Sequence, residues 1–160
     1  MRKPIIVLLF LLQLFVVFIS CQNNGESPVE KLQYYETGKV SRRYYELNGK
    51  KEGIMTDYYP DGNVLAERFF KQDKQTGHAL FYHPNGKLKE SQYYDAYGVK
   101  QADDSTFYDT GKLQVLLSFK DGKKHGYLRK WSTDGQLTYE ARYKMDTLVE
   151  VKGKLLKIGG

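Results

Sequence analysis

Apolar and polar positions follow two different patterns along the chain, and the change between them falls early. From Ile5 to Ile19 every residue is apolar except Gln13. Such a run is shorter than the ~20 residues a helix needs to cross a bilayer. Arg2 and Lys3 stand before it and Ser20 behind it, giving the charged, apolar and small-residue regions of a secretory signal peptide. A helical signal peptide is therefore expected over residues 1–20. Beyond residue 30 the period becomes two. Leu137, Tyr139, Ala141 and Tyr143 alternate with Thr138, Glu140 and Arg142, and Leu113, Val115, Leu117 and Phe119 repeat the pattern one period earlier. Alternation over this length predicts half-buried strands, and helical spacing is sustained nowhere in this part of the chain.

The alternating segments belong to an internal repeat. Gly38, Gly62, Gly86, Gly111 and Gly135 lie 24, 24, 25 and 24 residues apart. Four positions before each glycine stands an aromatic residue (Tyr34, Tyr58, Tyr82, Phe107, Trp131), and two after it an aliphatic one (Val40, Val64, Leu88, Leu113, Leu137). Eight after it comes a further ring, Phe70, Tyr94, Phe119 or Tyr143, with Tyr45 one place early in the first repeat. A second glycine follows fifteen residues later at Gly53, Gly77 and Gly126. The third repeat is one residue longer over Tyr97–Asp103 and has no glycine there, and the fifth has Glu150 at that place.

Each repeat reads as two strands and a tight turn. Pro60-Asp61-Gly62 and Pro84-Asn85-Gly86 are turn tripeptides in which glycine takes the left-handed conformation. A two-residue loop would put the aromatic and the aliphatic residue on opposite faces. A three-residue loop ending in a glycine bulge sets them directly opposite on one face, so that loop is expected. The fold class that follows is all-β, an elongated single-sheet antiparallel meander of about five β-hairpin repeats.

Equivalent positions of successive repeats are then two strands, roughly 9.5 Å, apart. That exceeds the ~4.5–7 Å over which ring centroids interact, so the intervening strand must fill the gaps with its own apolar residues. Tyr34, Tyr58, Tyr82, Phe107 and Trp131 become part of one stripe, either the core of a thin sheet or a row of rings for a ligand.

Composition sharpens this picture once the leader is set aside. The 140 residues after it hold 22 Ile, Leu and Val but 20 Tyr, Phe and Trp, with a net charge near +4. That is too few aliphatics for a doubly wound α/β core, and suited to a small aromatic-rich β domain. Cys21 is the only cysteine, so no intramolecular disulfide is possible. Its place just behind the apolar run and Ser20 resembles a lipobox, although Phe18 is unusual where that motif prefers Leu. Acylation there would add roughly 0.8 kcal/mol of membrane affinity per buried methylene. Residues 21–30, with Asn23, Asn24, Gly25, Ser27 and Pro28, read as a polar tether, residues 31–148 as the repeat domain, and residues 149–160 as a capping strand pair or a basic tail.

The recurring Tyr-x-x-x-Gly-x-Leu, followed by Asn48-Gly49-Lys50-Lys51-Glu52-Gly53 or Asp121-Gly122-Lys123-Lys124-His125-Gly126, resembles the MORN-repeat variant of many bacterial proteins over residues 34–148. The resemblance implies a β-hairpin array used for interaction, with no catalytic residues to carry over. It is also similar to YwqK-type antitoxins, which the resemblance pictures as neutralising a toxin by direct binding. MORN repeats elsewhere are associated with membrane lipids and scaffolding. Those antitoxins belong to the cytosol, whereas this chain has an export signal, so a toxin partner would be met in the cell envelope as in an immunity role.

Candidate chemistry adds little. His78, His83 and His125 occupy three different places in the repeat, without metal-ligand spacing, and no nucleophile elbow or phosphate loop is present. Glu67, Glu90 and Glu140 recur a few residues after the turn glycine, where cross-strand pairing with Arg and Lys is the expected use. Lysines at the turns, among them Lys39, Lys87 and Lys112, read as solubilising charge or as attraction to anionic lipid headgroups. The expected protein is a non-enzymatic lipoprotein, without cofactor, metal or nucleic acid, held on a bacterial membrane through Cys21 at the periplasmic or surface face of the outer membrane. Its expected partner is a protein, with envelope glycan as the second choice.

Overall fold

The computed structural model describes residues 25–152 together with Lys154 and Leu155. The expected signal peptide, Cys21 and the end of the tail lie outside the described residues. Within them the elements are β1 (Val29–Tyr34), β2 (Val40–Leu47), β3 (Lys50–Lys51), β4 (Gly53–Tyr58), β5 (Val64–Lys71), β6 (Lys74–Tyr82), β7 (Leu88–Tyr94), β8 (Lys100–Phe107), β9 (Leu113–Lys120), β10 (Lys123–Trp131), β11 (Leu137–Lys144), β12 (Thr147–Val151) and β13 (Lys154–Leu155). They form one open sheet in chain order, with β3 paired to β2 just before β4 takes over. Every pairing is antiparallel, so the all-β meander read from the sequence is the fold.

The turns line two opposite rims of the sheet, and each rim has its own chemistry. On the first, Gly38 N–H donates to the Tyr35 carbonyl at 2.9 Å while Tyr35 N–H donates to Lys39 at 2.8 Å. The same pair of bonds recurs at Gly62, Gly86, Gly111 and Gly135. This is the three-residue loop closed by a glycine in the left-handed region. On the second rim Asn48-Gly49, Gln72-Asp73, Asp121-Gly122 and Met145-Asp146 are two-residue loops with both residues at positive φ, matching the twist of the strands they join. The extra residue of the third repeat is absorbed here. Gly98 N–H donates to the Asp95 carbonyl at 3.0 Å and closes a three-residue loop in place of a two-residue one.

Bulges decide which side chain faces which way. Tyr34, Tyr58, Tyr82, Phe107 and Trp131 pair directly with Val40, Val64, Leu88, Leu113 and Leu137, so the five pairs share one face, called here the stripe face. One residue inward the register slips. Lys130 opposes Tyr139, and Thr138 is left unpaired. A bulge of this kind turns the strand over. The unbroken alternation expected from Leu137 to Tyr143 is therefore split, with Leu137 on the stripe face and Tyr139, Ala141 and Tyr143 on the other. By the same pairing Phe70, Tyr94 and Phe119 also lie on that opposite face.

No second layer covers either face among the described residues. The buried apolar residues are Met55, Ala66, Ala79 and Ala141, all on the face opposite the stripe. Each small residue lies between longer cross-strand neighbours that roof it over, Ala79 between Arg68 and Gln92, Ala141 between Leu128 and Val151. Met55 and Ala79 flank Arg68 in one row and Ala66 lies in the next, between Asp57 and Phe81, so the core is a narrow band in which large rings cover more than many aliphatics would.

Candidate functional site

Six of the nine exposed large apolar side chains among the described residues lie on the stripe face. Leu32, Tyr34, Ile54, Phe69, Tyr127 and Leu137 retain 40, 58, 53, 41, 38 and 51 % of their surface. The five predicted aromatics are brought into one row, and their exposure is uneven. Tyr34, at the outer strand, is open, whereas Tyr58, Tyr82, Phe107 and Trp131 are half-buried against the aliphatic residues between them. A second row, which the spacing analysis missed, runs parallel to the first. Ile54 pairs with Phe69, and His78 pairs with Tyr93, their ring centroids 5.1 Å apart at 60°. Shallow depressions of ≈ 330 Å³ and ≈ 520 Å³ meet at His78 and continue this row from Ile54 to Asp103. The signal for it was present in the doublets Tyr44-Tyr45, Phe69-Phe70 and Tyr93-Tyr94, since neighbours in a strand point to opposite faces.

Successive hairpins are latched together by the residue after four of the five stripe aromatics. Tyr35 Oη donates to the Tyr58 carbonyl at 2.5 Å, Tyr59 Oη to the Tyr82 carbonyl at 2.8 Å, and Tyr108 Oη to the Trp131 carbonyl at 2.8 Å. His83 fills the same position in the third repeat, and its Nε2 lies 2.9 Å from the Phe107 carbonyl. A carbonyl only accepts, so the Nε2 proton makes this bond. A second series follows the turn glycines. Lys39, Lys87 and Lys112 donate through Nζ to the carbonyls of Pro60, Thr110 and Thr133 at 2.8, 3.0 and 2.9 Å. These three lysines, read from the sequence as solubilising charge or attraction to anionic lipid, stitch their turns to the next, and Asn63 does the same from the second turn by donating to the Pro84 carbonyl.

The polar groups of the sheet are largely committed to one another. Asp57 is buried between Arg42, 2.5 Å away, and the Arg68 guanidinium. Glu140 accepts from Arg129 at 2.6 Å, Glu67 from the Tyr82 hydroxyl at 3.1 Å, and Glu90 from Gln92. Burial, helped by Glu67, raises the Tyr82 hydroxyl above its ordinary range. Burial also raises Asp104 in spite of its bond to Lys100 at 2.6 Å. Asp95 is shifted down, first by the N–H of Val99 and then by that of Tyr97, and Asp134 is shifted down by the Ser132 hydroxyl. The three histidines stay apart, and among the described residues no group of three or more His, Cys, Asp and Glu is placed to hold a metal ion.

The family model for the MORN repeat variant matches residues 51–72, 75–96, 105–121 and 124–145. Each matched segment contains one glycine-closed turn of the first rim, from Gly62 to Gly135. The hairpin of β1 and β2 precedes them. No curated protein matches the chain.

Proposed function

For a chain that belongs to the MORN repeat variant family, we propose a non-catalytic interaction module, held on a bacterial membrane by lipid on Cys21, that takes a protein partner along the stripe face. The observation that carries this reading is the stripe face itself, which no second layer covers among the described residues. Exposed apolar side chains grouped on one face of a sheet mark a contact site, and Tyr and Phe on a rigid sheet lose little side-chain entropy when they are covered. Among the described residues most polar groups are committed to one another beside shallow depressions, which supports binding over catalysis.

The test is a photo-crosslinking residue placed in turn at Phe69, Tyr127 and Thr133, the last in an exposed turn of the first rim. The same discrete protein adduct from Phe69 and Tyr127, and none from Thr133, is expected. Recovery of polysaccharide alone, with binding lost in Trp131→Ala, would replace the protein partner by an envelope glycan. Anchoring is tested separately. Cys21→Ser should move the protein out of the membrane fraction and abolish labelling by a fatty-acid analogue, and unchanged labelling would remove the lipid from the proposal.

A further inference from the structure

An open sheet ends in edge strands, and β1 is one that nothing covers among the described residues. It bonds to β2 on one side only, and all six of its residues are exposed. Its free side is ready to pair. In an antiparallel ladder successive residues direct their N–H and C=O alternately toward the partner strand and away from it. Tyr35 directs both groups toward the turn and β2, so Tyr34, Leu32 and Glu30 direct theirs outward. The outward series stops at Pro28, which has no N–H to give.

We propose that this edge is a self-association site, with β1 of a second chain pairing antiparallel to β1 about a two-fold axis at Leu32. A two-fold axis normal to the sheet keeps each face continuous, so only residues on the same face can be opposed. Centring it on Leu32 sets Leu32 against Leu32 of the second chain, Glu30 against Tyr34, and Lys31 against Gln33. The outward N–H and C=O groups of Glu30, Leu32 and Tyr34 then bond each other, six hydrogen bonds for the three pairs. Adjacent registers are worse. Centring on Lys31 opposes two lysines, and centring on Gln33 opposes Glu30 to Glu36, and like charges directly opposite destabilise a sheet. Lys31 is meanwhile within 3.9 Å of Glu46 of its own chain, which offsets its charge near the axis.

Pairing at Leu32 also covers two of the exposed apolar residues of the stripe face, Leu32 and Tyr34. It joins the stripes of two chains into one surface and leaves no open edge beside β2. Phe69 and Tyr127, on β5 and β10, lie outside this contact, so loss of one association leaves the other measurable.

The test uses the full chain in density-matched detergent. Sedimentation should give the protein mass of two chains, and Leu32→Lys, which opposes two lysines at the axis, should halve it while the far-ultraviolet circular dichroism stays that of a sheet. A covalent arm does not depend on that variant. In the Cys21→Ser background, Leu32→Cys becomes the only thiol, and its α-carbons across the axis would lie at about 5.5 Å, inside the range a disulfide spans. Mild oxidation should convert it mainly to a linked dimer, whereas Ile54→Cys, more exposed than Leu32 on the same face, should stay monomeric. A single-chain mass for the unaltered protein, a series of masses growing with concentration as in head-to-tail stacking, or equal linking of Leu32→Cys and Ile54→Cys would each overturn the proposal.

Discussion

Ala102 occupies a place where three of the other four repeats have glycine, and exchanging the two residue types tests how the bulge is held. Gly53, Gly77 and Gly126 sit at φ of 90, 68 and 106°, and in the longer third repeat the same conformation falls on Ala102 at 61°. A left-handed alanine costs roughly 1–2 kcal/mol. Glycine loses roughly 0.5–1 kcal/mol more than alanine in chain entropy on folding. Since Ala102 is exposed, its methyl group contributes little by burial. Ala102→Gly should therefore stabilise the fold by about 0.5–1 kcal/mol. Gly77→Ala is the mirror experiment. Its φ is nearly the same, and an added Cβ would meet nothing nearer than the Phe69 Cβ at 3.9 Å, so the cost is that of the backbone alone. With a urea m-value of about 2 kcal/mol/M, the two variants should move the unfolding midpoint by about 0.3–0.5 M in opposite directions. The sites are two strands apart, about 9.5 Å, so the double variant should return close to the starting midpoint. A destabilised Ala102→Gly, or a Gly77→Ala as stable as the parent, would show that something other than left-handed strain selects the residue.

Two further perturbations test the links between repeats and the role of charge. Tyr59→Phe deletes the 2.8 Å bond to the Tyr82 carbonyl and should cost about 1 kcal/mol in chemical denaturation, whereas Tyr139→Phe, which removes no such bond, should stay within ~0.5 kcal/mol. Asp95 has its folded-state pKa lowered by the Val99 and Tyr97 N–H groups. Its contribution is present above the unfolded carboxylate value of about 3.9 and is lost as pH falls through the lower folded value. Asp95→Asn should therefore be less stable than the parent at pH 7 and equal to it near pH 2, and carboxyl titration by NMR should place Asp95 below and Asp104 above the ordinary range.

The turn chemistry was the most legible part of the chain. The five glycines, with an aromatic residue four before and an aliphatic one two after, defined both the loop length and the pairing of Trp131 with Leu137, because a hairpin loop sets its own register locally. The stripe of Tyr34, Tyr58, Tyr82, Phe107 and Trp131 was likewise readable as a row. Its exposure was not, since that depends on whether another layer covers the sheet. The row from Ile54 to Tyr93 was hidden by a bulge that the recurrence of residue types does not show. Thr138, Leu65 and their equivalents differ in chemistry, so nothing in their identity marks them as the unpaired residue.

The sequence alone determined the class of fold, the number of repeats and the three-residue turns of the first rim, since all three follow from contacts between residues close along the chain. Which face each ring occupies, the latches from Tyr35, Tyr59, His83 and Tyr108, and the stitching by Lys39, Lys87 and Lys112 were decided by the tertiary structure. Each of those bonds joins residues more than twenty positions apart. Their geometry exists only after the strands have paired, when a one-residue slip in register is enough to send a side chain to the opposite face.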